Sequence, residues 1–153
     1  MVIFKEEFMA ITEFNYFCAD AIAVAEKISA SVDDEQASKF LESLYYAYEQ
    51  EGSPKNRKKW IAEKIKDKFI CMASPPVWVG EPRWAYLDDV PMVFLNQFKV
   101  SNIEGRLADR FKSGDTVFVF GGKTPSVPKE GDAWSVVYKM VVQTEEGEDL
   151  YVG

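Results

Sequence analysis

The sequence predicts an α+β fold in which three N-terminal helices pack on a mostly antiparallel, aromatic-rich β-sheet. Upstream of Ser74-Pro75-Pro76 the apolar residues recur at spacings of three and four, as they do on one face of a helix. Downstream the period falls to about two, which is typical of strands. A residue before proline disfavours the helical conformation, so the helical region ends there. We expect residues 1–153 to form a single domain, helical over residues 1–74 and β-rich over residues 75–153.

The three helices are predicted from their apolar stripes and their end signals. The first runs from Thr12 to Ser31, with Thr12 as a plausible N-cap. The second opens at Asp33, which forms a capping-box pattern with Gln36, and it stops at Gly52. The third begins at Ser53-Pro54, because a proline at the first helical position loses no hydrogen bond.

The β-rich part contains short alternating or apolar runs. The run TVFVF is almost wholly apolar, as expected for a strand that is covered on both faces. Residues 102–112 are ambiguous, because their apolar residues recur every fourth position and would suit a short helix. The predicted strands are Val77–Val79, Met92–Val100, Thr116–Phe120, Trp134–Val142 and, at the end, Tyr151–Val152.

The charge and composition exclude several functions. The chain has 18 Lys and Arg against 25 Asp and Glu, a net charge of −7. Such a surface repels phosphate, so we expect no nucleic-acid partner, and it attracts basic proteins, although mild acidity is also ordinary for a cytosolic protein. Because the chain has no histidine, the commonest zinc and copper sites and any Ser-His or Cys-His pair are ruled out. We therefore expect no cofactor, no metal site and no enzymatic activity.

The two cysteines and the hydropathy indicate a location. Cys18 and Cys71 match no disulfide framework and no metal-ligand spacing, so we expect free thiols in a reducing compartment. The N-terminus lacks the basic region of a signal peptide, and no apolar run is long enough to span a membrane. We expect a cytoplasmic protein with no membrane partner.

The segment EPRWAYLDD holds most of the candidate binding residues. Glu81, Asp88 and Asp89 form the main carboxylate cluster beside aromatic residues, although adjacent aspartates before Val-Pro are more typical of a turn than of acid–base or cation chemistry. Trp84 and Tyr86 are the best candidates for exposed aromatic residues. Tryptophan and tyrosine flanked by carboxylates are good anchors for a protein partner.

A glycine- and proline-rich loop is predicted from Gly121 to Gly131. Its GGKT run is not a phosphate loop, because Val117 stands where the first glycine of that motif belongs. Long loops often carry binding residues, so Lys123 is a further candidate for partner contact.

The residues from Pro75 to Val142 resemble a known family. The run PMVFLNQF, Pro91 to Phe98, is similar to the "PM-x-FL-x-Q-[IF]" strand of the YwqG-like bacterial domain. GDTVFVFGG and DAWSVVYKM resemble the glycine-led strand and the tryptophan-containing strand of that family, and PPVWVGEPRW resembles the residues before its central strand. The resemblance implies a compact β-rich fold without known active-site residues. It also implies an association with bacterial toxin-immunity neighbourhoods.

Our leading hypothesis is a non-enzymatic bacterial immunity-type protein that binds and neutralises a toxin domain. Glu81, Asp88 and Asp89 would steer it towards a basic toxin surface, and Trp84 and Tyr86 would anchor the contact. The alternative is a small-molecule-binding or enzymatic domain. Its pocket would lie between the helices and the sheet, with the Gly121–Gly131 loop as a lid. A structural protein that assembles through a self-complementary interface is a third possibility.

Overall fold

The computed structural model describes residues 5–32, 35–88, 90–101, 112–123 and 136–152. This part of the chain contains three α-helices and antiparallel sheets, so the predicted α+β class is confirmed. A 3-10 turn, Glu35–Ala37, leads into the second helix. The helices are α1 (Lys5–Lys27), α2 (Ser38–Gln50) and α3 (Arg57–Lys66).

The first helix is longer than predicted. It begins at Lys5, so Thr12 lies inside it and the predicted N-cap is wrong. No proline or glycine occurs between Lys5 and Thr12, and nothing in that stretch stops a helix. The capping-box pattern predicted at Asp33 lies outside the described residues.

The third helix begins later than predicted. Its N-cap is Asn56, whose side chain accepts a hydrogen bond from the backbone N–H of Lys59 at 3.2 Å. Ser53 instead has a φ of 51° and continues the left-handed turn that begins at Gly52 and ends α2. The Ser53-Pro54 pair is therefore part of the connection between the helices, and the predicted helix start there is wrong.

The strands form two antiparallel units. β1 (Tyr86–Leu87) and β2 (Val90–Pro91) form a hairpin in which Leu87 pairs with Val90. The other unit is a four-stranded sheet with the order β3-β4-β5-β6. Its strands are β3 (Val93–Lys99), β4 (Thr116–Lys123), β5 (Val136–Gln143) and β6 (Asp149–Val152).

Most predicted strands are present, and one is wrong. The predicted strands Met92–Val100, Thr116–Phe120, Trp134–Val142 and Tyr151–Val152 correspond, over their described residues, to β3, β4, β5 and β6. β4 continues to Lys123, so residues 121–123 are paired with β5 and the predicted start of the loop at Gly121 is wrong. Val77–Val79 forms no strand, because its backbone N–H groups bind glutamine side chains instead of a neighbouring strand. Residues 102–111, 124–131 and Trp134 lie outside the described residues. None of the described helices has the length and apolar character that a membrane crossing needs.

Aromatic side chains fill the core where the helical part meets the β-rich part. Phe40 of α2 lies 5.7 Å from Phe69, Phe69 lies 5.2 Å from Trp84, and Trp84 lies 5.2 Å from Phe120 of β4 (ring centroids). All four are buried. A chain of edge-to-face ring contacts thus runs from α2 to the centre of the sheet.

Candidate functional site

Trp84 and Tyr86 are not exposed, and the prediction that they anchor a partner is wrong. Their exposed fractions are 2% and 1%. The Trp84 indole N–H donates to the carbonyl of Met92 at 2.8 Å, and the Tyr86 hydroxyl donates to the carbonyl of Ser31 at 2.6 Å. Large aromatic side chains can be buried when their polar atoms find partners, as here.

The predicted carboxylate cluster is not a cluster. Glu81 is exposed, and its carbonyl accepts a hydrogen bond from Gln143, which pairs with the first residue of β4. Asp88, with a φ of 56°, lies in the β1–β2 turn beside Gly122 and Lys123, at the other end of β4. At about 3.4 Å per residue, these ends are roughly 20 Å apart. The prediction of a turn is confirmed at Asp88, whereas Asp89 lies outside the described residues.

The segment Pro75 to Trp84, here called the connecting segment, is held across the sheet by polar side chains. Gln143 of β5 is fully buried, and its Oε1 accepts from the N–H groups of both Val79 and Gly80 at 3.0 Å. Its Nε2 donates to the Glu81 carbonyl at 2.9 Å and to Asp149 Oδ1 at 3.0 Å. All polar atoms of this amide are therefore used, as burial requires.

A second glutamine holds the other end of the connecting segment. Gln97 of β3 accepts from the Val77 N–H at 2.7 Å and donates to the Val77 carbonyl at 3.2 Å. Between the two glutamines, the Trp78 ring stacks on Phe118 with centroids 4.4 Å apart, and its N–H donates to the carbonyl of Ser29 at 2.7 Å. The connecting segment is thus fixed to β3, β4 and β5, and to Ser29 in the turn after α1. Sequence reasoning did not single out these residues.

One end of the molecule presents a group of carboxylates, here called the acidic end: Glu81, Glu145, Glu146 and Glu148. All four residues are exposed. The backbones of Gly80 and Gly147 touch, which brings Glu81 next to the β5–β6 turn that carries the other three. Glu145 forms a long ion pair with Lys99 at 3.9 Å, whereas the other three carboxylates have no ion pair within the described ranges.

Two clefts flank the β1–β2 hairpin. The first, here called the helix cleft, has a volume of about 400 Å³ and lies between α2, the end of α3 and the hairpin. The second, here called the sheet cleft, has a volume of about 450 Å³ and lies between the hairpin, residues 67–70 and the end of β4. The clefts share Lys68, Val90 and Pro91. These volumes fall within the range of small-molecule sites.

The sheet cleft brings together two residues that the sequence singled out separately. Asp88 and Lys123 both line it, together with Asp67 and Lys68. Its apolar walls include Leu87 and Met92. The described lining of the sheet cleft therefore combines two carboxylates and two ammonium groups with apolar walls.

The described residues contain no activated thiol and no metal cluster. Burial raises the pKa of the Cys18 thiol and that of the Cys71 thiol, so both stay protonated at neutral pH. No group of three His, Cys, Asp or Glu side chains in the described ranges is arranged to hold a metal ion.

The fold and these surfaces define an α+β protein with an acidic end and two clefts. Comparison with known proteins finds no matching family model, no matching curated protein and no matching solved structure. The resemblance to the YwqG-like domain therefore stays a prediction.

Proposed function

We propose that this chain is a non-enzymatic immunity-type protein that binds a basic toxin domain through its acidic end. The observation that carries the proposal is the exposure of Glu81, Glu146 and Glu148 on neighbouring turns, with no cation paired to them in the part of the chain that the structure describes. Exposed carboxylates grouped on neighbouring turns raise the rate at which a basic partner is captured.

The acidic end is well suited to a rigid contact. Gln143 fixes the backbone of Glu81, and Asp149 at the start of β6 forms an ion pair with Arg83 at 2.9 Å. A pre-organised surface loses less conformational entropy on binding than a mobile one. In this proposal the protein blocks the toxin sterically, and the carboxylates set the association rate and its salt dependence.

A cytoplasmic location is part of the same proposal. Cys18 and Cys71 are free. Free thiols are typical of proteins in a reducing compartment.

The test is affinity capture with charge variants. The tagged protein is incubated with native lysate, and retained proteins are identified by mass spectrometry. The variant Glu81→Gln/Glu146→Gln/Glu148→Gln removes three charges from the acidic end. Its matched control, Glu26→Gln/Glu42→Gln/Glu63→Gln, removes three charges from exposed helix positions.

We expect one stoichiometric, basic partner that is retained by the wild type and the control and lost from the acidic-end variant or at high salt. If no protein is retained, or if a retained partner binds the acidic-end variant as well as the control, the proposal is wrong.

A second candidate function is the binding of a small molecule in the clefts beside the hairpin. The specific observation in its favour is that two concave, largely apolar clefts of about 400 and 450 Å³ meet at Val90 and Pro91. This candidate also rests on the three helices being packed on the sheet. The ring contacts from Phe40 through Phe69 and Trp84 to Phe120 support that arrangement. Saturation with a ligand would raise the melting temperature.

A further inference from the structure

We propose that the helix cleft binds a small amphiphile with one anionic group, such as a carboxylate at the end of an apolar chain. The inference rests on the second candidate function above, and it names the class of ligand. It is independent of the proposed toxin contact at the acidic end.

The walls of the helix cleft suit an apolar chain. Phe40, Leu44 and Ala47 follow one another along a single stripe of α2 and line one side. Val90 and Pro91 of the hairpin line the other. Val90 is 58% exposed although it is a β-branched apolar residue, so part of this wall faces water. Covering it would remove apolar surface from water, which favours binding.

The charges at the helix cleft favour an anion. Lys64 and Lys68 both line it, and its described lining contains no carboxylate. Lys64 is engaged by Glu51 at 3.3 Å, outside the cleft lining. Lys68 forms no ion pair with any residue that the structure describes. An anionic group between the two ammonium groups would gain charge-assisted hydrogen bonds.

The sheet cleft does not share this preference. Among its described lining residues, Asp67 and Asp88 stand beside Lys68 and Lys123, so the positive and negative charges of this part of the lining balance. The anionic group is therefore assigned to the helix cleft. The apolar chain extends past Val90 towards the sheet cleft, because the two clefts share that wall.

The test compares octanoate with 1-octanol, which has the same chain length and no charge. Binding of each is measured by calorimetric titration to the wild type and to four variants. Lys68→Gln removes one of the two ammonium groups of the helix cleft, the one without an ion pair among the described residues. Lys58→Gln is its control, because Lys58 is an exposed lysine of α3 that lines neither cleft. Val90→Ser removes the shared apolar wall. Glu51→Gln frees Lys64 from its partner.

We expect octanoate to bind more tightly than octanol. Lys68→Gln weakens octanoate about three-fold and leaves octanol unchanged, as expected for one exposed charge pair. Glu51→Gln strengthens octanoate alone, whereas Val90→Ser weakens both ligands. Lys58→Gln changes neither.

Three results would overturn the inference. Equal binding of octanoate and octanol would remove the preference for an anion, but the small-molecule candidate would stand. Octanoate binding that is indifferent to both Lys68→Gln and Val90→Ser would place the site elsewhere. If neither ligand binds up to its solubility limit, the inference and the small-molecule candidate fail together, while affinity capture still decides the toxin contact separately.

Discussion

Replacing Gln143 with leucine should destabilise the protein by about 3 kcal/mol. The side chain is 0% exposed and makes four hydrogen bonds, to Val79, Gly80, Glu81 and Asp149. Each such bond contributes about 1 kcal/mol net, and a donor or acceptor left without a partner adds a penalty. The Val79 and Gly80 N–H groups lie near the surface, so water recovers part of the loss. For a chain of this length the melting temperature should fall by ~6–12 °C.

Urea denaturation followed by far-UV circular dichroism measures this loss. Gln50→Leu is the matched control, since Gln50 is exposed at the end of α2, and it should change stability by less than about 0.5 kcal/mol. Gln97→Leu should lie between the two, because Gln97 makes two hydrogen bonds and is nearer to solvent. Tryptophan fluorescence should also change in Gln143→Leu, because Trp78 loses the backbone that orients it on Phe118.

The variant Gln143→Glu tests the direction of the hydrogen bonds. Its carboxylate still accepts from Val79 and Gly80 but faces the carbonyl of Glu81 and the carboxylate of Asp149. These neighbours favour the protonated acid, so the pKa of the introduced carboxyl group should be higher in the folded state than in the unfolded chain. The deficit relative to wild type should be smallest at low pH, where the acid is protonated in both states. It should grow as the pH rises from the unfolded pKa to the folded pKa. A Gln143→Leu loss below about 1 kcal/mol, or a Gln143→Glu deficit that does not vary with pH, would refute the reasoning.

Three further predictions concern stability and reactivity. Gly80→Ala should destabilise the protein by at least about 2 kcal/mol in urea denaturation, because an added Cβ would collide with the carbonyl oxygen of Gly147. Arg57→Gln should cost about 1.5 kcal/mol, and less at high salt, because it breaks the partly buried 2.6 Å ion pair with Asp20 that joins α3 to α1. Both cysteines should react more slowly with a disulfide reagent at neutral pH than an exposed thiol does, and faster as the pH rises, because burial raises the pKa of each thiol and lowers its thiolate fraction.

Control substitutions of the same type show whether each loss of stability comes from the contact named above or from any substitution of that kind. Gly122→Ala should be nearly neutral, because its added Cβ would only reach ordinary contact with Met92 at 3.4 Å. Lys64→Gln, which breaks an exposed ion pair with Glu51, should change stability by less than about 0.5 kcal/mol. Equal losses in Gly80→Ala and Gly122→Ala, or in Arg57→Gln and Lys64→Gln, would contradict the argument. For the thiols, labelling of the folded protein as fast as that of the urea-unfolded protein would do so.

The fold class could be predicted because the change of period at Ser74-Pro75-Pro76 is a local signal. The apolar stripe on α2 and the apolar run of β4 are also local signals, so these two elements could be predicted as well. The ends of the helices could not be predicted from such local signals. Ser53-Pro54 and Asn56 are both suitable residues for the start of α3, and only the backbone geometry shows that Asn56 is its N-cap.

The binding surfaces could be predicted only in part. The sequence predicts exposure of Trp84 and Tyr86 because prolines, an arginine and carboxylates surround them. Their burial depends on tertiary partners, since the Tyr86 hydroxyl donates to Ser31, 55 residues upstream, and the Trp84 indole N–H donates to Met92 beyond the β1–β2 hairpin. One readable signal was missed. Gln143 follows Val141 on the same face of β5, and a polar residue on a core-facing position requires a partner.

Most of the aromatic side chains whose exposure the structure describes are buried, which changes where a binding surface should be sought. The rings of Trp78, Trp84, Phe94, Phe118 and Phe120 contact one another and fill the space between the connecting segment and the sheet. Their number reflects this packing, so they do not need a ligand to explain them. Within the described residues, the candidate binding surfaces are therefore the acidic end, near one end of β4, and the two clefts beside the hairpin.

The acidic end and the sheet cleft lie at opposite ends of β4, which are roughly 20 Å apart at about 3.4 Å per residue. Substitutions separated by more than about 10 Å usually act additively. The acidic-end variant should therefore bind octanoate like the wild type, and Val90→Ser should retain a basic partner. If either variant alters the other surface, the two ends must be coupled. The element that could couple them is the connecting segment, because Gln143 holds its middle beside the acidic end and its last residue, Trp84, leads into the β1–β2 hairpin. Both binding assays would then be repeated with Gln143→Leu. They would show whether the hydrogen bonds that hold the connecting segment carry the coupling between the two surfaces.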